Sequence, residues 1–156
     1  MIDDTEARFA QERSAHPEFA GKSGLAATFY EGYYVYGADD PRGRLLSSLG
    51  FTVPPDIAQF IGADGFGGNV PAERAAVLDT DALVWIAPTS LPAQLTADPV
   101  YSRLGVATEG RAVFLDETST FGKAFTFVTP LSIPYLLDGL VPQLATAVDG
   151  DPATTT

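Results

Sequence analysis

From Leu131 to Val148 the apolar residues Leu131, Ile133, Leu136, Leu137, Leu140, Val141, Leu144 and Val148 recur at the spacing of one helical face, and Asp149-Gly150-Asp151-Pro152 ends the pattern. This is the strongest helix prediction in the chain. The strongest strand prediction has no polar position at all. Ala82-Leu83-Val84-Trp85-Ile86-Ala87 is continuously apolar and stops at Pro88, the signature of a parallel strand covered on both faces, with Trp85 in the core. Before it, Gly62, Gly65, Gly67 and Gly68 predict a loop with Phe66 inside it, and Pro71 with Glu73 predicts a short helix over Val70–Leu78. Gly24–Tyr30 and Tyr33–Tyr36 are β-rich runs joined by Glu31-Gly32, the spacing of a tight hairpin.

The remaining segments are weaker. Ile2 to His16 is a polar helix that stops before Pro17, and Gly37-Ala38-Asp39-Asp40-Pro41 is a turn leading into a helix that runs from Arg42 to Leu49 and ends at Gly50. Thr52–Pro55 is extended, and Asp56–Ile61 is at most one helical turn. Leu91–Leu95 and Pro99–Leu104 are short helices, and Gly110–Asp116 is a further strand with its turn. Strands alternating with helices predict an α/β domain, a three-layer αβα sandwich around a mostly parallel sheet. Ligands of such sheets bind in the crevice at the carboxyl ends of the strands, here the loops 36–44, 62–69, 88–92 and 117–129. Alternation along the hairpin turns about half of Tyr30, Tyr33, Tyr34 and Tyr36 toward cross-strand packing, and read as a strand the 125–127 segment points Phe125 and Phe127 the same way.

Composition narrows the function. The 156 residues suit one domain, and 20 acidic against 9 basic residues, a net charge of −11, disfavour nucleic acid and anionic lipid as partners. The absence of cysteine removes disulfides and thiolate metal sites and leaves the compartment open. Met1 is followed by charged residues and no run is long enough to cross a bilayer, so the chain as given reads as soluble. A polar helix that begins at the first residue without capping residues predicts a piece of a longer protein, although an engineered start has the same appearance.

Enzymatic chemistry finds little support. His16, the single histidine, has no cysteine or second histidine to join, so neither a metal site nor a catalytic triad is built on it. The glycine loop lacks the preceding strand and following Lys-Ser or Lys-Thr of a phosphate loop. The pairs Asp79 with Asp81 and Asp116 with Glu117 can do acid–base work or bind a divalent cation, but turn chemistry explains them more simply. The enzyme alternative is an α/β hydrolase or phosphatase-like domain using Asp116.

The blocks HPEFAGK, YVYGADDPRGRLLSSLGF, VPAER, ALVWIAP, PVYSRLGVATEGRAVFLD and PLSIPYLLDGLVPQL, in this order from about Glu6 onward, resemble the C-terminal lobe of an iron–siderophore substrate-binding protein of an ABC importer. The resemblance implies a Rossmann-like lobe of a two-lobed binding protein without catalysis. Residues 1–22 would be the end of the inter-lobe linking helix and its connection, 23–150 the ligand-binding lobe, and 151–156 a flexible tail. It also implies a missing N-terminal lobe, a permease partner, and a periplasmic or extracellular location with membrane anchoring of the full-length protein.

By the same resemblance, Phe66 in the glycine loop and Phe125 and Phe127 before the last helix fall where the family places ligand aromatics. Roughly one of Phe121, Phe125 and Phe127 is core on ordinary packing grounds. Arg42 is the candidate cation for an anionic chelate and Tyr36 can add a hydroxyl, while Arg42 and Arg44 as solvated helix residues are the plain alternative. Glu73 resembles the exposed glutamate offered to permease arginines, and it also suits its own helix start. The cargo is a ferric siderophore, with haem or cobalamin as further possibilities and no resident cofactor or metal. A net charge of −11 is a poor general attractor for an anionic ligand, which makes a neutral or cationic hydroxamate chelate nearly as plausible.

Overall fold

The computed structural model describes residues 2–149, so the tail expected over 151–156 lies outside the described residues. Five strands form one sheet in the order β3-β2-β1-β4-β5, where β1 is Gly24–Phe29, β2 Tyr33–Tyr36, β3 Gly67–Val70, β4 Ala82–Ala87 and β5 Ala112–Asp116. β1 pairs in parallel with β4 and β4 with β5, whereas β2 is antiparallel to both β1 and β3. Four strands therefore point one way and β2 alone opposes them, which is the mostly parallel sheet expected. The β1–β2 connection is the predicted hairpin, with Glu31 at φ 52° and Gly32 at φ 122°.

Helices cover both faces. On one face lie α1 (Ile2–Ala15), α2 (Pro41–Ser48), α5 (Thr120–Phe127) and α6 (Ile133–Ala147), and on the other lie α3 (Leu91–Ala97), α4 (Gly105–Thr108) and three segments of 3-10 helix, Pro55–Phe60, Ala72–Leu78 and Tyr101–Arg103. The apolar run of β4 explains the layering. All six of its residues are buried; Ala82, Val84 and Ile86 face the α1-α2-α5-α6 layer while Leu83, Trp85 and Ala87 face the other. Trp85 is core as expected, and its indole N–H donates to the Tyr101 hydroxyl at 3.1 Å.

Four local expectations are corrected. The glycine segment is not all loop, because Gly67 and Gly68 open β3 and pair with Tyr36 and Val35. Both glycines are steric requirements: a Cβ on Gly67 would stand 2.7 Å from the Tyr34 ring, and one on Gly68 would collide with the Phe60 carbonyl. The helix expected over Val70–Leu78 is instead the end of β3, Pro71, and 3-10 turns interrupted at Arg74 (φ −108°), since Val70 is held in the ladder opposite Tyr33. The segment 117–129 contains α5, whose N-terminus is capped by Ser119 Oγ accepting from Gly122 N–H at 2.8 Å. Phe125 and Phe127 therefore diverge, as two residues apart on a helix must. The last helix begins at Ile133 rather than Leu131, behind a turn in which Thr129 and Ser132 exchange hydrogen bonds.

Candidate functional site

Alternation in β2 creates the site. Tyr33 and Val35 enter the core beside Trp85, so Tyr34 and Tyr36 emerge on the opposite face of the sheet, where they remain half-buried. Their rings meet edge to face with centroids 5.4 Å apart. Beyond Tyr36 the chain turns at Gly37 and enters α2, whose N-cap is Asp40: its Oδ1 accepts from Arg42 N–H at 2.9 Å. Gly43 must lack a side chain here, because a Cβ would strike the Gly37 carbonyl.

Arg42 is built into this turn. Its Nε and Nη2 donate to the two oxygens of Asp40 at 2.7 and 2.8 Å, Nη1 donates to the Thr126 carbonyl at 3.0 Å, and the guanidinium carbon lies 3.8 Å from the centre of the Tyr36 ring. Burial pushes the Arg42 pKa down, but the Asp40 bonds and the neighbouring Tyr36 more than offset this, and the group stays charged. Burial likewise raises the Tyr36 phenol, countered only in part by Arg42. Three of the five guanidinium N–H groups are occupied by these bonds, which leaves two unbonded among the described residues.

The Thr126 carbonyl ties the end of α5 to this cluster and places its neighbour Phe127, 73% exposed, at the rim. Immediately after it Val128 adopts φ 28°, a strained conformation for a β-branched residue of the kind that gathers at binding sites. From the other side, Gly37 N–H donates to the Phe66 carbonyl at 2.8 Å, bringing the glycine loop alongside, with Phe66 47% exposed. Of the residues singled out, Tyr36 and Arg42 are in contact, and the segments carrying Phe66 and Phe127 are bonded to the same turn through their backbones. Phe125 is a correction: it is fully buried among Leu136, Leu140 and the α2 leucines and supports the cluster from beneath.

Tyr34, Asp40 and the Thr126 carbonyl belong to the site but were not singled out. The first was legible as the residue two before Tyr36 on the same strand face, and the second as a Ser/Asp-type cap before Pro41. Of the four loops expected to converge, 88–92 does not join; it turns to the other layer and lines a cavity of about 160 Å³ with Trp85, Phe114 and Asp116. Because β2 opposes its neighbours, Tyr34 and Tyr36 lie on the α1-α2-α5-α6 side of the sheet rather than at the strand ends where 88–92 lies.

Glu73 is exposed on the Ala72–Leu78 segment of the opposite layer, and it is engaged by no hydrogen bond or ion pair among the described residues. Its neighbour Arg74 is anchored by Gln59 at 3.2 Å and by the Phe60 ring. The carboxylate pairs have structural partners. Asp79 and Asp81 surround Arg111. Asp116 closes an Asx turn by accepting from Thr118 N–H and hydroxyl at 2.9 and 2.8 Å, bonds that hold its carboxyl below the usual range. His16 bonds to Glu18 at 2.9 Å and stacks on Phe19. Among the described residues no group of three or more His, Cys, Asp or Glu is arranged to hold a metal ion, and no helix is long and apolar enough to cross a membrane.

No family model and no curated protein sequence matches the chain. Solved structures do. PiaA of Streptococcus pneumoniae TIGR4 in complex with ferrichrome is similar over 96% of this chain and 52% of its own, with 25% identity and a TM-score of 0.81. A periplasmic solute-binding protein of Mycobacterium smegmatis matches 94% of this chain and 49% of its own, with 28% identity and a TM-score of 0.72. FhuD2 of Staphylococcus aureus with bound ferrioxamine B shares the fold at a TM-score of 0.73 and 18% identity, over 95% of this chain and 57% of its own. The chain therefore spans about half the length of these structures and has the fold of one lobe, the C-terminal one, of a siderophore-binding ABC substrate-binding protein.

Proposed function

With the fold of a siderophore-binding lobe as premise, we propose that this chain is the C-terminal half of a ferric-siderophore-binding protein serving an ABC importer, and that it binds its cargo without transforming it. The observation that carries this reading is the fixed Arg42 guanidinium over the Tyr36 ring, with Tyr34 against Tyr36 and the exposed Phe66 and Phe127 on the two segments that are hydrogen-bonded to this turn. An iron chelate is a rounded body with a rigid organic shell and oxygen atoms on its surface. Aromatic rings pack against the shell, and the unbonded N–H groups of Arg42 and the tyrosine hydroxyls meet the oxygens. The exposure of Phe66 and Phe127 supports a half-site that a second lobe covers, with α1 as the end of the helix that joins the two.

Exported, membrane-anchored deployment outside the cytoplasm belongs to the same reading, as does docking through Glu73. A carboxylate that protrudes without a partner of its own is suited to a bidentate grip by a permease arginine. Calorimetric titration of the two-lobed protein with ferric hydroxamates, catecholates and carboxylates, haem and cobalamin tests the cargo: saturable binding of a ferric siderophore is expected, and binding of none, or of haem or cobalamin alone, overturns the reading. Glu73→Ala is expected to abolish most uptake by cells while affinity is unchanged. A parallel loss of both would remove the docking role.

A further inference from the structure

We propose that Asp40 is the residue that sets which charge of chelate this site accepts. The inference rests on the siderophore reading above and deepens it. Asp40 is 3% exposed, and both its oxygens are spent on one residue, Oδ1 on the N–H and Nε of Arg42 and Oδ2 on its Nη2. Pro41 between them has no N–H and a fixed φ, so the carboxylate reaches past it to Arg42 and no other donor competes for it.

The consequence is electrostatic. A lone half-buried guanidinium beside aromatic rings is a receptor for anions, but one bonded at 2.7 and 2.8 Å to a buried carboxylate is part of a neutral unit that still donates directed hydrogen bonds. The only other cation on α2, Arg44, is exposed two residues on, and acidic groups outnumber it. Asp39, Asp64 and Glu117 are exposed nearby, with Glu117 close enough to raise the Tyr36 pKa, and the whole chain carries −11. Such a site hydrogen-bonds the oxygens of an uncharged ferric trihydroxamate and disfavours a trianionic ferric tricatecholate. Asp40 acts through Arg42 and is a positioning and charge-setting residue; it touches no ligand itself.

The test compares ferrichrome, a neutral trihydroxamate, with ferric enterobactin, a trianionic tricatecholate, on the two-lobed protein. Asp40→Asn keeps an oxygen for the α2 cap but removes the charge. It is expected to move the ratio of the two affinities toward the tricatecholate by about tenfold at low salt, and to lose that gain in 0.5 M salt, a concentration chosen to bring the Debye length to roughly 4 Å. The double variant Asp40→Asn with Arg42→Gln, neutral again, is expected to return the ratio to that of the wild type. A ratio unmoved by Asp40→Asn, or a shift that persists in the double variant, overturns the assignment.

A measurement on the wild type alone guards against misfolding of the variants. Its tricatecholate affinity is expected to be flat or to rise with salt, and a fall with salt overturns the neutral-unit argument. Failure of the wild type to bind either chelate would instead sink the siderophore reading itself.

Discussion

Arg42 and Arg111 are equally withdrawn from solvent, with side chains 15% and 16% exposed, and both are held by carboxylates and a backbone carbonyl. Their surroundings separate them. Arg111 sits at the amino ends of β4 and β5, within 2.9 Å of Asp79, 3.1 Å of Glu109 and 3.7 Å of Asp81, with Nη1 donating to the Thr80 carbonyl. Gly105 has no side chain because a Cβ there would meet this guanidinium. Its Nη donors bond the Thr80 carbonyl and Asp79, its buried Nε lies near Glu109 without a hydrogen bond, and it fastens the entries to two strands. Arg42 has one carboxylate, the Tyr36 ring beneath it and two unbonded N–H groups. A buried cation therefore does not by itself mark a site.

Phe125 and Phe127 make the same contrast in apolar form, and they carry the largest expected effect. Phe125→Ala should cost about 3–4 kcal/mol of stability in a urea titration, because it empties a packed position in the core. Phe127→Ala should change stability by less than about 0.5 kcal/mol and weaken chelate binding about tenfold. Equal stability losses for the two would show that α5 is oriented differently. Next in size, Arg111→Met should destabilise by about 2 kcal/mol, since it leaves three carboxylates facing one another, partly relieved by solvent. Chelate affinity in that variant should be unchanged, and a drop in affinity at full folding would break the distinction between the two arginines. Arg42→Lys retains the charge but loses the fork, so an affinity loss of about tenfold with a stability change under about 1 kcal/mol is expected from calorimetry and thermal melts.

The smallest effect is at alkaline pH and reads out the Trp85 layer. Burial pushes the Tyr101 phenol up to about 12, against the lowering effect of the Trp85 N–H bond, and burial raises Tyr33 as well. A phenol whose pKa is raised by folding contributes stability that is complete below its unfolded value of about 10 and is lost as pH climbs through the folded value. The urea midpoint should hold level to about pH 9 and fall between about 10 and 12. Tyr101→Phe should make that fall shallower, and an unchanged slope would mean that Tyr101 is not the group being titrated.

Much of the scaffold was legible in the residues. β4, the hairpin and α6 were readable because their signals are local: an unbroken apolar run, two β-rich runs around Glu31-Gly32, and a repeated helical spacing. α5 was missed because Phe-Gly-Lys-Ala-Phe-Thr-Phe favours strand by composition, and only its Ser119 cap and the packing of Phe125 against α6 make it helical. β3 was missed because two glycines carry no strand propensity; the partner strand β2 and the Phe60 carbonyl behind Gly68 define it. Arg42, Tyr36, Phe66 and Phe127 were identified from the chain as candidates, but not the way they are joined.

The sequence alone determined the α/β class, the order of most elements and the residue types available for recognition, because periodicity, turn residues and capping act over a few neighbouring positions. Only the tertiary structure decided which side of β2 each tyrosine takes, that Phe125 is core while Phe127 is exposed, and that Arg42 is paired with the buried Asp40. Each of these depends on what lies across a sheet or beneath a helix: β1 and β3 beside the tyrosines, α6 beneath Phe125, and the Thr126 carbonyl, eighty-four positions away, holding the guanidinium in place.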